Sequence, residues 1–237
     1  MFIAAEGLSD VRVRDLRERA FEAGCRIFEL APGVMVKVSG TVTPQPVVSI
    51  MKMVDVGVDN LEGGKLVVVC ADVRDPGNAG TIVRSASASG VDAVVFAGSS
   101  VDPYNPKTVR ASAGALFFLP LVVEPDLLKV MTKLREMGYR RLGAVVAGGV
   151  DYLSVEWGVP TALVLGNEAS GLPAEIDHEV DARIEIPMTG PTESLNVGVA
   201  SAVICFEAFR QRRLSGDVEV ASGKPSPELL TGDRWAT

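Results

Sequence analysis

The sequence predicts an α/β protein, a mostly parallel sheet with helices on both faces, preceded by a small α/β unit. Three observations predict it. From Lys65 onward, short apolar runs alternate with segments whose small and branched residues recur at helical spacing. The apolar runs are continuous, as strands covered on both faces require. Hydrophobic residues make up 47% of the chain and aromatics only 5%, so the core has to be built from Val, Ala and Leu.

Taken in order, Val11 to Ala23 reads as a helix with Gly24 as its stop. Residues 25 to 50 alternate short apolar runs with turn residues. Lys37 to Pro46 is loop-like, and Val47 to Val54 reads as a strand. Gly57 to Lys65, rich in Gly, Asp and Asn, is a linker. Strands follow at Leu66 to Cys70, Ala93 to Ala97, Phe117 to Val123, Arg141 to Ala147, Thr161 to Leu165 and Arg183 to Ile186. Helices are expected at Asn78 to Ser89, closed by Gly90, at Pro106 to Ala113, at Asp126 to Met137 and at Leu195 to Gln211. The division is a leading unit over 1–57, an α/β domain over 65–213 and a tail over 214–237. Its Ser, Gly, Pro and charge make that tail an expected disordered segment.

Lys and Arg total 23 against 30 Asp and Glu, a net charge of −7, which sits awkwardly with a polyanionic partner. Cations nevertheless cluster, as Arg12, Arg14, Arg17 and Arg19 and again as Arg74, Arg84, Lys107 and Arg110. The first cluster, interleaved with Asp15 and Glu18, reads equally well as a solvated helix face. Cys25, Cys70 and Cys205 fit no zinc spacing, and their odd number argues against a full disulfide framework. Cys70 and Cys205 read as small core residues. His178 is the single histidine and lies in the polar stretch Glu175 to Asp181, which excludes a histidine-rich metal site. Met1 to Glu6 lacks the basic and apolar regions of a secretory signal. The longest apolar stretch, Ala115 to Val123, is too short to span a bilayer. A cytoplasmic protein with no membrane partner is expected.

Three segments carry chemistry. In Asp72 to Arg84 a strand runs through a Gly/Pro turn into a helix opening at Asn78. That side chain could cap the helix or face a ligand. Gly77 and Gly80 suggest a phosphate loop, but neither complete nucleotide-binding glycine pattern is present. In Leu163 to Pro173 an apolar strand ends in Gly166, Asn167 and Glu168, at the carboxyl edge where open α/β sheets bind ligands. In Ile184 to Ala200 a short strand enters a loop and then the last helix, with Ser194 expected as its N-cap and Asn196 in its first turn. Ser194 and Asn196 facing Glu168 would make a compact hydrogen-bonding site.

Together the strings NAGTIVRSASASG, LVLGNEASGLP and IPMTGPTESLNVGVASAVICFE resemble the three motifs of the SpoU (TrmH-like) family of RNA 2′-O-ribose methyltransferases, over roughly Lys65 to Arg213. The resemblance implies a trefoil-knotted sheet, S-adenosylmethionine as methyl donor, no metal, and a homodimer. It implies cofactor contacts at Ala147, Gly148, Leu165, Gly166, Ile186, Pro187, Met188 and Leu195. It also implies catalytic roles for Asn78, Arg84, Glu168, Ser194 and Asn196, with Arg84 serving the partner's site. The RNA is ribosomal ahead of transfer RNA. Leu16 to Met53, above all Val38 to Gln45, resembles the end of the ribosomal-protein-like substrate-recognition domain that precedes many such catalytic domains, which implies that the leading unit is a partial copy of it, through either a truncated start or a reduced domain.

Two other classes remain to be weighed. A silent RNA-binding scaffold has no need of all five polar residues. A dinucleotide oxidoreductase needs a glycine fingerprint that Gly77 and Gly80 do not complete.

Overall fold

The computed structural model describes residues 1–41 and 43–218, and these divide into two compact units, Met1–Met53 and the chain from Val54 onward. In the first unit, strand β1 (Phe2–Ala4) lies between a parallel β2 (Phe28–Leu30) and an antiparallel β3 (Val47–Val48). Helix α1 (Val11–Glu22) is capped by the Asp10 carboxylate and is followed by Gly24 at φ +75°. A short helix α2 (Val34–Ser39) follows β2. The small core holds Ile3, Ala4, Val13 and Met35.

The second unit is one eight-stranded sheet in which every pairing is parallel. Its strands are β4 (Asp55–Val56), β5 (Leu66–Ala71), β6 (Ala93–Ala97), β7 (Leu121–Glu124), β8 (Arg140–Ala144), β9 (Val150–Asp151), β10 (Thr161–Leu165) and β11 (Ala182–Glu185), in the spatial order β4-β7-β6-β5-β10-β8-β11-β9. The central strands are Val- and Leu-rich and buried throughout, so successive residues feed two separate cores. Val68, Cys70, Val94, Phe96, Leu163 and Leu165 pack under α3 (Pro76–Ala88) and α7 (Val197–Leu214). Val67, Val69, Val95, Ala162 and Val164 pack under α5 (Leu127–Glu136) and the short α6 (Ala174–Asp177). A further helix, α4 (Pro106–Ala111), lies against α3. The side where Gly80 meets it is so tight that a Cβ there would stand 2.4 Å from Ala111 Cβ and 2.7 Å from the Thr108 carbonyl.

Several expectations need correction. Val47 to Val54 is not one strand: it pairs only over Val47–Val48, and Ile50 and Met53 stand exposed. Asp55 and Val56 already belong to the large sheet through β7, and the expected linker holds a 3-10 turn (Val58–Leu61) whose Val58 and Leu61 are core residues. Phe117 to Val123 is a strand only from Leu121. The apolar run misled because Ala115–Phe117 forms a 3-10 turn that buries Leu116 and leaves Phe117 and Phe118 half exposed. Arg141 to Ala147 pairs only as far as Ala144, after which 145–149 crosses to β9 as a loop. The final helix runs to Leu214, through the start of the expected tail; the tail from residue 219 lies outside the described residues. Cys70 and Cys205 are fully buried free thiols, as expected, and burial pushes the Cys205 thiol up to about 12. Among the described residues no helix is long and apolar enough to cross a membrane.

Candidate active site

The turn after β5 sets up the site. Asp72 is one of two non-glycine residues at positive φ among the described residues, at +64°, and its carboxylate accepts the Ser99 N–H at 2.6 Å. Helix α3 then starts at Pro76, and its N-cap is Asp75, which accepts the Asn78 N–H at 2.8 Å. Asn78 is therefore not the cap, and its side chain is free for other partners. Ser194 is not the cap of α7 either. Asn196 takes that place, its Oδ1 accepting the N–H groups of Gly198 at 2.9 Å and Val199 at 3.3 Å.

Those two caps leave the asparagine amides to face each other. Asn196 Nδ2 donates to Asn78 Oδ1 at 2.8 Å, and Asn78 Nδ2 donates to Glu168 Oε1 at 2.9 Å. Neither amide can be reversed at no cost. Asn196 Oδ1 is taken by two backbone donors, and an ionised Glu168 can only accept, so Asn78 must turn its NH₂ toward it. Three elements far apart in sequence are joined by this relay. The loop carrying Glu168 is folded by Asn167, whose Nδ2 donates to the Asp72 carbonyl at 2.9 Å and whose Oδ1 accepts Ala169 N–H at 2.9 Å and Ser170 N–H at 3.2 Å. Partial loss of water raises the Glu168 carboxyl pKa. The donors around it (Asn78 and the backbone N–H groups of Asp75 and Arg74) outweigh this and hold it below the ordinary carboxylate value.

The relay lies on the wall of a cleft of about 540 Å³ at the carboxyl ends of β8, β10 and β11, the edge where a parallel sheet exposes its strand ends to ligands. Leu165, Ile186, Leu195 and Ile204 give it apolar lining. Glu168, Asp177 and Glu193 give it an excess of acid, while Arg183, the cation among the described lining residues, is already paired with Asp177.

A profile of the SpoU rRNA methylase family matches residues 65–206. The chain belongs to the SpoU rRNA methylase family. Among its curated relatives is the Bacillus subtilis 23S rRNA (guanosine(2553)-2′-O)-methyltransferase RlmP, 32% identical over 78% of this chain and 73% of the relative. Among solved structures, the SpoU methyltransferase AviRb from Streptomyces viridochromogenes in complex with AdoMet superposes with a TM-score of 0.78 at 31% identity, covering 91% of this chain and 83% of that one. The AdoMet-bound rRNA methyltransferase from Sinorhizobium meliloti gives 0.78 at 30% identity, over 90% and 79%. As a SpoU methylase the chain is an S-adenosylmethionine-dependent RNA methyltransferase.

Most of the residues expected at a SpoU site converge. Asn78, Glu168, Ser194 and Asn196 line the cleft, as do Leu165, Gly166, Ile186, Met188 and Leu195. Ala147, Gly148 and Pro187 do not line it; all three are exposed, Ala147 next to the lining residue Val146 and Pro187 between Ile186 and Met188. Arg84 is also outside the lining, an exposed side chain in the middle of α3 with no hydrogen bond or ion pair among the described residues. The cleft also has lining residues not expected from sequence: Val145 and Val146 after β8, and the acids Asp177 and Glu193. Two signals could have found them. Any loop leaving a central parallel strand is a ligand candidate, and Glu193 directly precedes the Ser194–Asn196 pair.

Proposed function

We propose that this SpoU enzyme methylates the ribose 2′-hydroxyl of ribosomal RNA, as a homodimer, with S-adenosylmethionine bound in the acidic cleft. The observation that carries the reading is the Asn196–Asn78–Glu168 relay, a hydrogen-bonded polar device on the wall of a cleft of suitable size. The cleft fits the donor on chemical grounds. Its volume is within the usual range of roughly 300–1,000 Å³ for small-molecule sites. Its apolar wall suits a purine ring, and its excess of carboxylates suits a cationic sulfonium. The residues that would hold the donor are Leu165, Gly166, Ile186, Met188 and Leu195. When bound, S-adenosylmethionine supplies a methyl group already activated as an electrophile. The protein is left with orientation and with the hydroxyl's proton. Asn78 and Asn196 each keep an N–H free for the ribose, and Ser194 keeps its hydroxyl. A guanidinium with a pKa above about 12 is a poor base, so Arg84 acts by stabilising the negative charge that grows on the 2′-oxygen.

Homodimerisation is supported by two features. Arg84 stands off the cleft of its own chain. On α7, Val199 and Phe206 are each 46% exposed, an apolar stripe at helical spacing with Val203 between them. Arg84 is accordingly assigned to the partner's site. A knotted path is supported by the geometry around β11, which lies between β8 and β9 while the loop 145–149 joining those strands passes over its carboxyl end. Val145 N–H donates to the Ile184 carbonyl at 2.9 Å and Gly149 N–H to Glu185 Oε2 at 2.9 Å. The leading unit, a partial recognition domain over 1–57, would read RNA through the cleft of about 790 Å³ in which Arg17 and Arg26 stand beside the exposed rings of Phe21 and Phe28. Its work would lie in the cytoplasm.

The test is methyl transfer. Protein, tritium-labelled S-adenosylmethionine and undermethylated total RNA should yield a labelled 2′-O-methyl nucleoside in the ribosomal size classes. Label confined to transfer RNA would change the substrate, and label on a base would overturn the reaction.

A further inference from the structure

We infer that Lys107 and Arg110 of α4, beside Arg84 of α3, form a strip that binds RNA phosphates and seats the backbone next to the nucleotide on which Arg84 acts. This rests on the reading of the chain as an RNA methyltransferase.

The first observation is where charge is missing. From Val54 to Thr237 the chain carries 16 Lys and Arg against 24 Asp and Glu, and the cleft adds Glu168, Asp177 and Glu193 to its own lining. Such a site repels a polyanion, so the phosphates of a bound RNA have to be taken up elsewhere. The second is where unpaired cations gather. Lys129, Lys133, Arg135, Arg141, Arg183 and Arg210 each have a carboxylate within 4.0 Å. Arg84, Lys107 and Arg110 have none among the described residues, and all three are exposed. Helices α3 and α4, which carry them, contain no Asp or Glu at all.

The third is placement. Gly80 and Thr81 mark two sides of α3: Gly80 meets Thr108 and Ala111 of α4, and Thr81 meets Gly198 of α7. At about 100° per residue, Arg84 falls between those two directions, so it projects outward between α4 and α7, less than two turns from Asn78. On α4, Thr108 is buried against this packing while Lys107 and Arg110, three residues apart, share an exposed stripe. Close helix contact at Gly80 therefore brings two cations that belong to neither the relay nor the cleft alongside the helix that bears Asn78 and Arg84. A solvated surface of ordinary composition in so acidic a unit would mix signs; this one does not.

The test measures binding and turnover on an unmodified 23S ribosomal RNA transcript in KCl from 50 to 200 mM. Lys107→Gln and Arg110→Gln should each lower the steepness of log Kobs against log salt by roughly 0.7–0.9. Each should raise KM for the transcript on the order of threefold to tenfold, leaving kcat and S-adenosylmethionine affinity within about twofold. Lys133→Gln, the same charge change at a residue paired with Asp59 on α5, should alter neither. A double variant with wild-type slope and KM, while the wild type methylates the transcript, overturns the strip and leaves the enzyme reading intact. Equal losses from Lys133→Gln would mean diffuse charge and overturn it too, as would a fall in kcat at unchanged slope. A wild type that transfers no methyl group to the transcript or to total RNA overturns both.

Discussion

At the scale of single residues, the chemistry depends on which side chain caps which helix. Because Asp75 closes α3, Asn78 is released to bridge Glu168 and Asn196. Asp75→Ala should therefore cost about 1 kcal/mol of stability, and it should lower kcat as well, because Asn78 loses its anchor; urea unfolding and steady-state rates on one preparation would separate the two. Glu168→Gln removes the charge and turns one of the two acceptor oxygens into an NH₂, so Asn78 and the N–H groups of Asp75 and Arg74 compete for the oxygen that remains, and a misplaced relay is expected to cost about 10²-fold in kcat. The pH dependence has a definite sign. Since its donors hold the Glu168 carboxyl below 4.5 in the folded state, the ionised group adds stability above that pH. The contribution is lost as pH falls through the depressed value. The gap in urea midpoint between wild type and Glu168→Gln should hold at neutral pH and narrow as pH falls below 4.5 and through the depressed value. Arg84→Ala should cut turnover and spare S-adenosylmethionine affinity, and an unchanged rate would remove Arg84 from the mechanism. Sequence made the polar residues legible because they gather in three segments at the ends of apolar strands, where a parallel sheet binds its ligands. It did not reveal their division of labour, since Asp75 and Asn78 are both good caps, as are Ser194 and Asn196, and only the three-dimensional partner decides.

At the scale of elements, the continuous Val-rich strands were readable to within a residue or two, because burial on both faces leaves no polar position to misplace. Failures fell where an apolar run had no partner strand, as at Ile50 to Met53, or turned too early, as at Phe117. Close backbone contacts were equally hidden. Gly149 looks like one more flexible loop residue, yet a Cβ there would stand 2.6 Å from Ile184 C and 2.9 Å from Glu185 N. Gly149→Ala must push the loop off β11, and overpacking of this kind costs about 1–3 kcal/mol; the urea midpoint would show it. The cleft wall built from Ile184 and Ile186 should shift with the loop, so S-adenosylmethionine affinity should fall in the same variant.

At the scale of the whole molecule, the acidic balance noted at the outset is resolved by distribution: Met1–Met53 has seven Lys and Arg against six Asp and Glu, and the negative excess lies in the unit that holds the cleft. Arg84 on one subunit and Glu168 on the other would make each site composite. Arg84→Ala and Glu168→Gln proteins, each inactive, should then regain about a quarter of wild-type activity once mixed and allowed to exchange subunits, since half the dimers are mixed and one of their two sites is intact. No recovery would place both residues in the same subunit's site. The strand order has a bearing on biosynthesis as well. β9 is made before β11 but pairs, among the described residues, with β11 alone, and the cleft takes lining residues from both β11 and α7. A nascent chain released before Ala182 leaves β9 without that partner. With S-adenosylmethionine seated in this cleft as proposed, translation should yield no fragment able to bind it until the last helix emerges from the ribosome.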